Sequence, residues 1–157
     1  MRNNGRVRIS AKSDYAVRAM IELASLGDTP TKGEVIAESQ GIPLNFMENI
    51  LGELKRHGIV ESRRGAQGGY WLSRPADDIT VAEIVRCVDG PLASIRDASP
   101  EQTEYPGKAA PLRDVWIALR MNVRSVLEST TLQNLVDGDL PPEVTEPVGD
   151  PEAWVRR

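Results

Sequence analysis

The sequence predicts a mainly α-helical fold carrying one small β-hairpin, and three observations predict it. Apolar residues recur at helical spacing near the start, with Ala16, Met20, Leu23 and Ala24 on one face of the segment 10–26. Two further helical segments follow, separated only by a tight turn at Gly41. Two short apolar runs, Gly58-Ile59-Val60 and Tyr70-Trp71-Leu72, then flank the glycine-rich, cationic stretch Arg63-Arg64-Gly65-Ala66-Gln67-Gly68-Gly69. That stretch reads as the tip of a hairpin. Two short helices joined by a turn and followed by a basic hairpin outline a winged helix-turn-helix, a DNA-binding device. A long helix toward the C-terminus completes the architecture.

The elements can be justified in order. Residues 1–6 are polar and read as a flexible N-terminus; 7–78 read as the winged helix-turn-helix domain. Its first helix runs from Ser10 to Leu26, with Ser10 or Ser13 as the cap, Val17 and Ile21 beside the apolar face, and Gly27-Asp28-Thr29-Pro30 as the stop. Lys12 lies in the first turn, where a cation is mildly unfavourable; it reads equally as a phosphate contact or as an ordinary surface lysine. Thr31-Lys32-Gly33-Glu34 has the form of a capping box. The helix it opens carries Val35, Ile36 and Ala37 and stops at Gly41, which suits a left-handed position.

Pro43 fits the first turn of the next helix, which runs to His57 with Gly58 as its stop. Leu44, Met47, Leu51 and Leu54 form its expected buried stripe, with Ile50 alongside. The opposite face offers Asn45, Glu48, Asn49, Glu53, Lys55 and Arg56. Recognition helices present their N-terminal residues to base edges. Asn45 and Asn49 suit adenine, and Glu48 suits the amino group of cytosine. Taken alone, this face reads as readily as a solvated mixture of polar residues; the hairpin beside it favours base reading. Arg63, Arg64 and Gln67 are the wing residues suited to the DNA backbone or an adjacent minor groove, the alternative being a solubilising surface hairpin. Alternation puts Tyr70 and Leu72 on one face and Trp71 on the other. Trp71 reads as a structural wing residue in preference to a stacking surface.

Charge supports a division of labour. The chain of 157 residues carries a net charge of −4, which by itself argues against a nucleic-acid binder. Residues 1–75 nevertheless hold 11 basic and 8 acidic residues, while 76–157 hold 8 basic and 15 acidic ones. A basic half facing DNA and an acidic half with another task fit that asymmetry. No apolar run approaches membrane-spanning length and no secretory signal is visible. Cys87 is the only cysteine, so no internal disulfide forms, and a cytoplasmic location is expected.

Residues 79–137 read as a linker helix, a loop and dimerisation helices. Ile79 to Val88 is a short helix with Thr80 as its cap and Glu83 at capping-box spacing. A polar loop from Gly90 to Pro111 includes Pro91, Pro100 and Pro106. Beyond it Leu112, Trp116, Leu119, Val123 and Val126 recur as a heptad-like seam, broadened by Val115 and Leu127. Such a seam suits helix pairing, or an ordinary core helix. Thr131 to Val136 is a final short helix. Residues 138–157, rich in proline and acidic groups, read as a disordered tail.

These residues resemble a known family. Ile9-Ser10-Ala11-Lys12-Ser13-Asp14-Tyr15-Ala16, Gly41-Ile42-Pro43 with Phe46-Met47-Glu48, Arg64-Gly65 with Gly68-Gly69-Tyr70, and Asp89-Gly90-Pro91-Leu92 are similar to the Rrf-two family of bacterial winged-helix transcription regulators. The resemblance spans residues 7–137. It implies a homodimer that inserts a recognition helix into the major groove of double-stranded DNA and lays a wing near the minor groove. It places DNA contacts at Ser10, Lys12, Asn45, Glu48, Asn49 and Arg64, with Arg63 and Gln67 beside them. It also turns the seam 112–126 into a dimerisation helix. The wing departs from the family's frequent Gly-Pro-Gly-Gly-Gly, having Gly65-Ala66-Gln67-Gly68-Gly69 instead.

Cluster-binding relatives carry three cysteines in the loop before the long helix; the region 92–112 has none here. One thiolate does not supply the ligands of an iron–sulfur centre, so no cluster, metal or other cofactor is expected. Asp14 as a ligand lapses for the same reason. His57 is explained as a cation at a helix C-terminus. Cys87 reads as a buried structural thiol in preference to a redox sensor. With no grouped nucleophile, base and orienting residue, no enzyme activity is expected. The reading is a dimeric repressor acting on a pseudo-palindromic operator under an unidentified effector or protein partner. The alternative is a winged-helix module that docks a partner enzyme or regulator.

Overall fold

The computed structural model describes residues 9–94 and 98–156, so the segment 1–6 expected to be flexible lies outside the described residues. Helix α1 (Ala11–Leu26) is capped by Ser10, whose hydroxyl accepts from the N–H of Ser13, and it buries Ala16, Ala19, Met20 and Leu23. Helix α2 (Gly33–Gln40) ends at Gly41 in the left-handed conformation, its N–H returned to the carbonyls of Ala37 and Glu38. Helix α3 (Leu44–Arg56) buries Met47, Ile50, Leu51 and Leu54. All three helices converge on one core that includes Ile36, Ile59, Val60, Ile79, Ile84 and Leu132.

Two local expectations are corrected. Leu44 is 39% exposed: it opens α3 and lies beyond the core that its later turns cover. Thr31 is not a helix cap; Lys32 occupies that position and makes no side-chain cap. The backbone of Thr31 is committed elsewhere. Its N–H donates to Tyr70 O (2.9 Å) and its carbonyl accepts from Tyr70 N (2.8 Å), which ties the start of α2 to the hairpin.

The hairpin consists of β1 (Val60–Arg63) and β2 (Gly69–Leu72), antiparallel, with Val60 opposite Leu72 and Arg63 opposite Gly69. Tyr70 and Leu72 pack against the main core, as the alternation requires, and Trp71 lies opposite the exposed Glu61. Arg63 therefore closes a strand rather than standing in the tip.

Helix α4 (Val81–Asp89) is capped by Thr80 and packs against α1. After the proline-containing loop comes α5 (Leu112–Ser129), then α6 (Leu132–Asp137), which opens with a capping box between Thr131 and Asn134. Val81 N–H donates to Thr130 O (2.9 Å) and Leu132 N–H to Ile79 O (3.0 Å), so the end of α5 is stitched to the start of α4 and Leu132 is driven into the core. One flank of α5 packs through Val123 and Leu127 on a second cluster formed by Ala82, Val85 and Leu92.

The segment read as a disordered tail instead holds α7 (Pro142–Gly149), packed against α5, and a 3-10 turn, Pro151–Trp154. Proline at a first helical position is already set for the helix, and Trp154 Nε1 donates to Val148 O (2.9 Å) to close the turn back on α7. No helix among the described residues is long and apolar enough to cross a membrane.

Candidate nucleic-acid interface

The outward face of α3 follows directly from its buried stripe. With Met47, Ile50, Leu51 and Leu54 turned inward, Asn45, Glu48 and Asn49 are all exposed in the first two turns, at spacings that share one side of a helix. Pro43 stands at the N-cap and offers no side-chain cap, so the first N–H groups of α3 are open to an anion such as a phosphate. Gly52 continues toward the exposed Arg56; a Cβ at Gly52 would meet nothing within 4 Å. Internal packing therefore does not require a glycine there, and its effect is to keep the helix surface low.

A cleft of about 620 Å³ runs between α1 and α3, lined by Lys12, Tyr15, Phe46, Asn49, Glu53 and Arg56 among others. Lys12 is not a free cation. Its Nζ lies 2.7 Å from Glu53 Oε2, while Arg56 stands 3.9 Å from the other Glu53 oxygen. The pair braces α1 against α3. Ser10 is likewise engaged: besides capping α1, its hydroxyl donates to Asp89 at the end of α4, and Ser13 Oγ donates to the same carboxylate oxygen at 2.5 Å. Both residues hold the helices in register, and each would have to exchange a protein partner for a phosphate.

At the wing, the two central glycines are dictated by contact. A Cβ on Gly68 would lie 2.2 Å from Arg63 O, and one on Gly69 would lie 2.6 Å from the backbone of Thr31. Gly65 has φ +104 but open space around it. The glycines thus let the tip fold tightly while Thr31 and Tyr70 anchor it. Arg63 Nη2 donates to Gln67 O (3.1 Å) across the tip, leaving Gln67 and Arg64 exposed, and among the described residues Arg64 has no hydrogen-bond or ion-pair partner. The sequence reading missed Lys32, whose Nζ donates to Gly65 O (2.6 Å). Only the pairing of Thr31 with Tyr70 brings it to the wing, and no local pattern announces that pairing.

Cys87 is half-buried on α4 rather than fully buried, and it packs against the main core. Desolvation, and then the nearby Glu83 carboxylate, push its thiol up, against a smaller opposing effect of Arg74.

An exposed polar row on the second helix of a helix-turn-helix, beside a hairpin braced by cations, defines a winged helix-turn-helix DNA-binding protein. Residues 9–138 match the Rrf2 family, described as an iron-dependent transcriptional regulator. The putative HTH-type transcriptional regulator Rv1287 of Mycobacterium tuberculosis is 46% identical over 145 residues, covering 92% of this chain and 90% of that protein. The structure of CymR (YrzC), the global cysteine regulator of B. subtilis, superposes with a TM-score of 0.73 at 34% identity, over 85% of this chain and 98% of that one. IscR of T. potens superposes with a TM-score of 0.69 at 28% identity, over 96% and 93%. The chain belongs to the Rrf2 family of transcriptional regulators, and its relatives are named as regulators, not enzymes.

Proposed function

We propose that the protein is a homodimeric, sequence-specific repressor that binds a pseudo-palindromic operator. Asn45, Glu48 and Asn49 read base edges in the major groove, and Arg64, with Arg63, Gln67 and Lys32, holds the backbone or the adjacent minor groove. The observation that carries the reading is the exposed row of α3 beside the anchored wing, with Arg64 free to meet a phosphate. Lys12 and Ser10 act chiefly by positioning α1 against α3 and α4.

Dimerisation is supported by α5, an 18-residue helix of which no residue is buried. Leu112 and Val126 are each 36% exposed and Val115 is 55% exposed. Along the seam, Val123 is partly spent on α4 and Trp116 donates its Nε1–H to Tyr105 Oη (3.1 Å), whereas Leu112 and Val126 stand exposed for a second copy. A helix patterned this way gains its missing burial by pairing.

The regulator's signal is something other than an iron–sulfur cluster, although the family description names iron. The donor set does not fit one: Cys87 is the chain's single cysteine, and one thiolate cannot supply the ligands such a cluster takes. Among the described residues, no group of three or more His, Cys, Asp or Glu side chains gathers in a way that could hold a metal ion. Fluorescence anisotropy with fragments of the promoters beside its own gene tests the function. Saturable binding of one fragment over scrambled DNA, steeply weakened by salt, is expected; equal affinity for all fragments refutes sequence-specific regulation.

A further inference from the structure

Away from the DNA-facing side, the loop after α4 and the inner flank of α5 enclose a second cavity, of about 480 Å³. Among the described residues its lining holds three arginines, Arg86, Arg120 and Arg124, but one carboxylate, Glu101. Two of the guanidinium groups are matched. Arg86 pairs with Glu128, and Arg120 pairs with Glu101 while only 12% of its side chain is exposed. Arg124 has neither a hydrogen-bond nor an ion-pair partner among the described residues. The Nε atoms of both Arg120 and Arg124 are buried without an acceptor.

Arg124 is half-buried, and leaving its guanidinium unpaired while its Nε–H is shut off from water without an acceptor has a cost. Nothing in the fold explains why α5 would place Arg124 here for stability alone. Much of the remaining wall is apolar, from Pro91, Leu92, Ala93, Ala98 and Pro100, with Ser94 and Ser99 beside them. Ala93 has φ +54, a left-handed conformation unusual for a residue with a side chain. A cavity of this size, mostly apolar, with a few convergent charged donors, has the make-up of a small-molecule site.

We propose that this cavity binds a small organic anion. Its carboxylate or phosphate sits against the unpaired guanidinium of Arg124, with Arg120 beside it, and its carbon skeleton lies on Leu92, Ala93 and Pro100. Charge points to the class: among the described residues Arg124 lacks a counter-ion, and a fork of N–H donors matches a planar carboxylate or a phosphate. The position also bears on regulation. Gly90 lines the cavity, and the preceding Asp89 is the carboxylate that holds Ser10 and Ser13 at the start of α1. Lys12 in the same turn grips Glu53 of α3. A ligand therefore binds next to the contacts that set the recognition helix against the rest of the domain. This role as an effector site rests on the regulatory reading above; the binding itself does not.

The test uses the full chain without DNA, so its failure leaves the DNA-binding reading untouched. Thermal unfolding and calorimetric titration are run with succinate and with glycerol 3-phosphate, against sodium chloride at equal ionic strength. A saturable rise in Tm with at least one probe is expected, and the stronger probe assigns the anionic group. Arg124→Gln removes no internal partner and is expected to fold; it should weaken binding at least tenfold. Arg124→Lys, which keeps the charge but loses the fork, should fall between the two. No saturable shift beyond that of chloride with either probe, or equal shifts in the wild-type chain and both variants, overturns the proposal.

Discussion

Replacing Gly69 by alanine examines whether the wing is a fixed part of the domain. Gly69 has φ +149, which side-chain-bearing residues rarely adopt, and a Cβ would lie 2.6 Å from Thr31 N and C. Those are backbone atoms of the segment that exchanges two hydrogen bonds with Tyr70, at 2.9 and 2.8 Å. Relieving the clash separates that pair. Two backbone hydrogen bonds contribute about 1 kcal/mol each net, and a strained backbone position costs about 1–3 kcal/mol. The expected loss is therefore about 3–5 kcal/mol, a large part of the stability of an ordinary domain. Urea denaturation followed by circular dichroism measures it. Gly65→Ala is the control: its φ is also positive, but nothing lies within 4 Å of the new Cβ, so only the strain of about 1–3 kcal/mol remains. A loss below about 1 kcal/mol for Gly69→Ala, or equal losses for the two variants, would show that the wing is not anchored through Thr31.

Other expected outcomes concern DNA, assembly and the thiol. Arg64→Ala should weaken operator and random DNA alike and reduce the steepness of log K against log salt by about 0.9, the value of one phosphate contact, in anisotropy titrations at several salt concentrations. Asn49→Ala should instead cost about 1–3 kcal/mol on the operator and little on random DNA; equal losses on both would place Asn49 off the bases. Leu112→Asp combined with Val126→Asp should yield a folded monomer in sedimentation equilibrium, because both side chains are exposed within one chain; an intact dimer would move the interface off α5. Cys87 should react with a disulfide reagent much more slowly than free glutathione at neutral pH and gain speed only in alkaline solution, since burial raises its pKa; fast labelling at neutral pH would contradict that assignment.

What the sequence made legible was local. The cap of α1 (Ser10 or Ser13, of which the structure uses Ser10), the left-handed Gly41 and the Thr80 cap are set by residues within a few positions. The stripe of α3 was legible because four of its members, Met47, Ile50, Leu51 and Leu54, repeat with the helix; Leu44 failed because the core ends before the first turn. Thr31 shows the limit most clearly. Its spacing to Glu34 satisfied a capping rule, but the backbone pairing with Tyr70, 39 positions away, took precedence. The same long-range closure brings Lys32 to Gly65, Lys12 to Glu53 and Ser10 to Asp89. None of these pairs has a periodic signature. The tail was misread because its proline and acidic content together point to disorder, whereas Pro142 starts a helix.

The central claim is that two copies of α3 and its wing read one operator together. Hydroxyl-radical footprinting of the full chain on a promoter fragment that it binds tests this most directly. The account predicts two protected patches related by a dyad, with centres about 34 Å or a multiple of it apart along the duplex. A single protected patch without two-fold symmetry would contradict it.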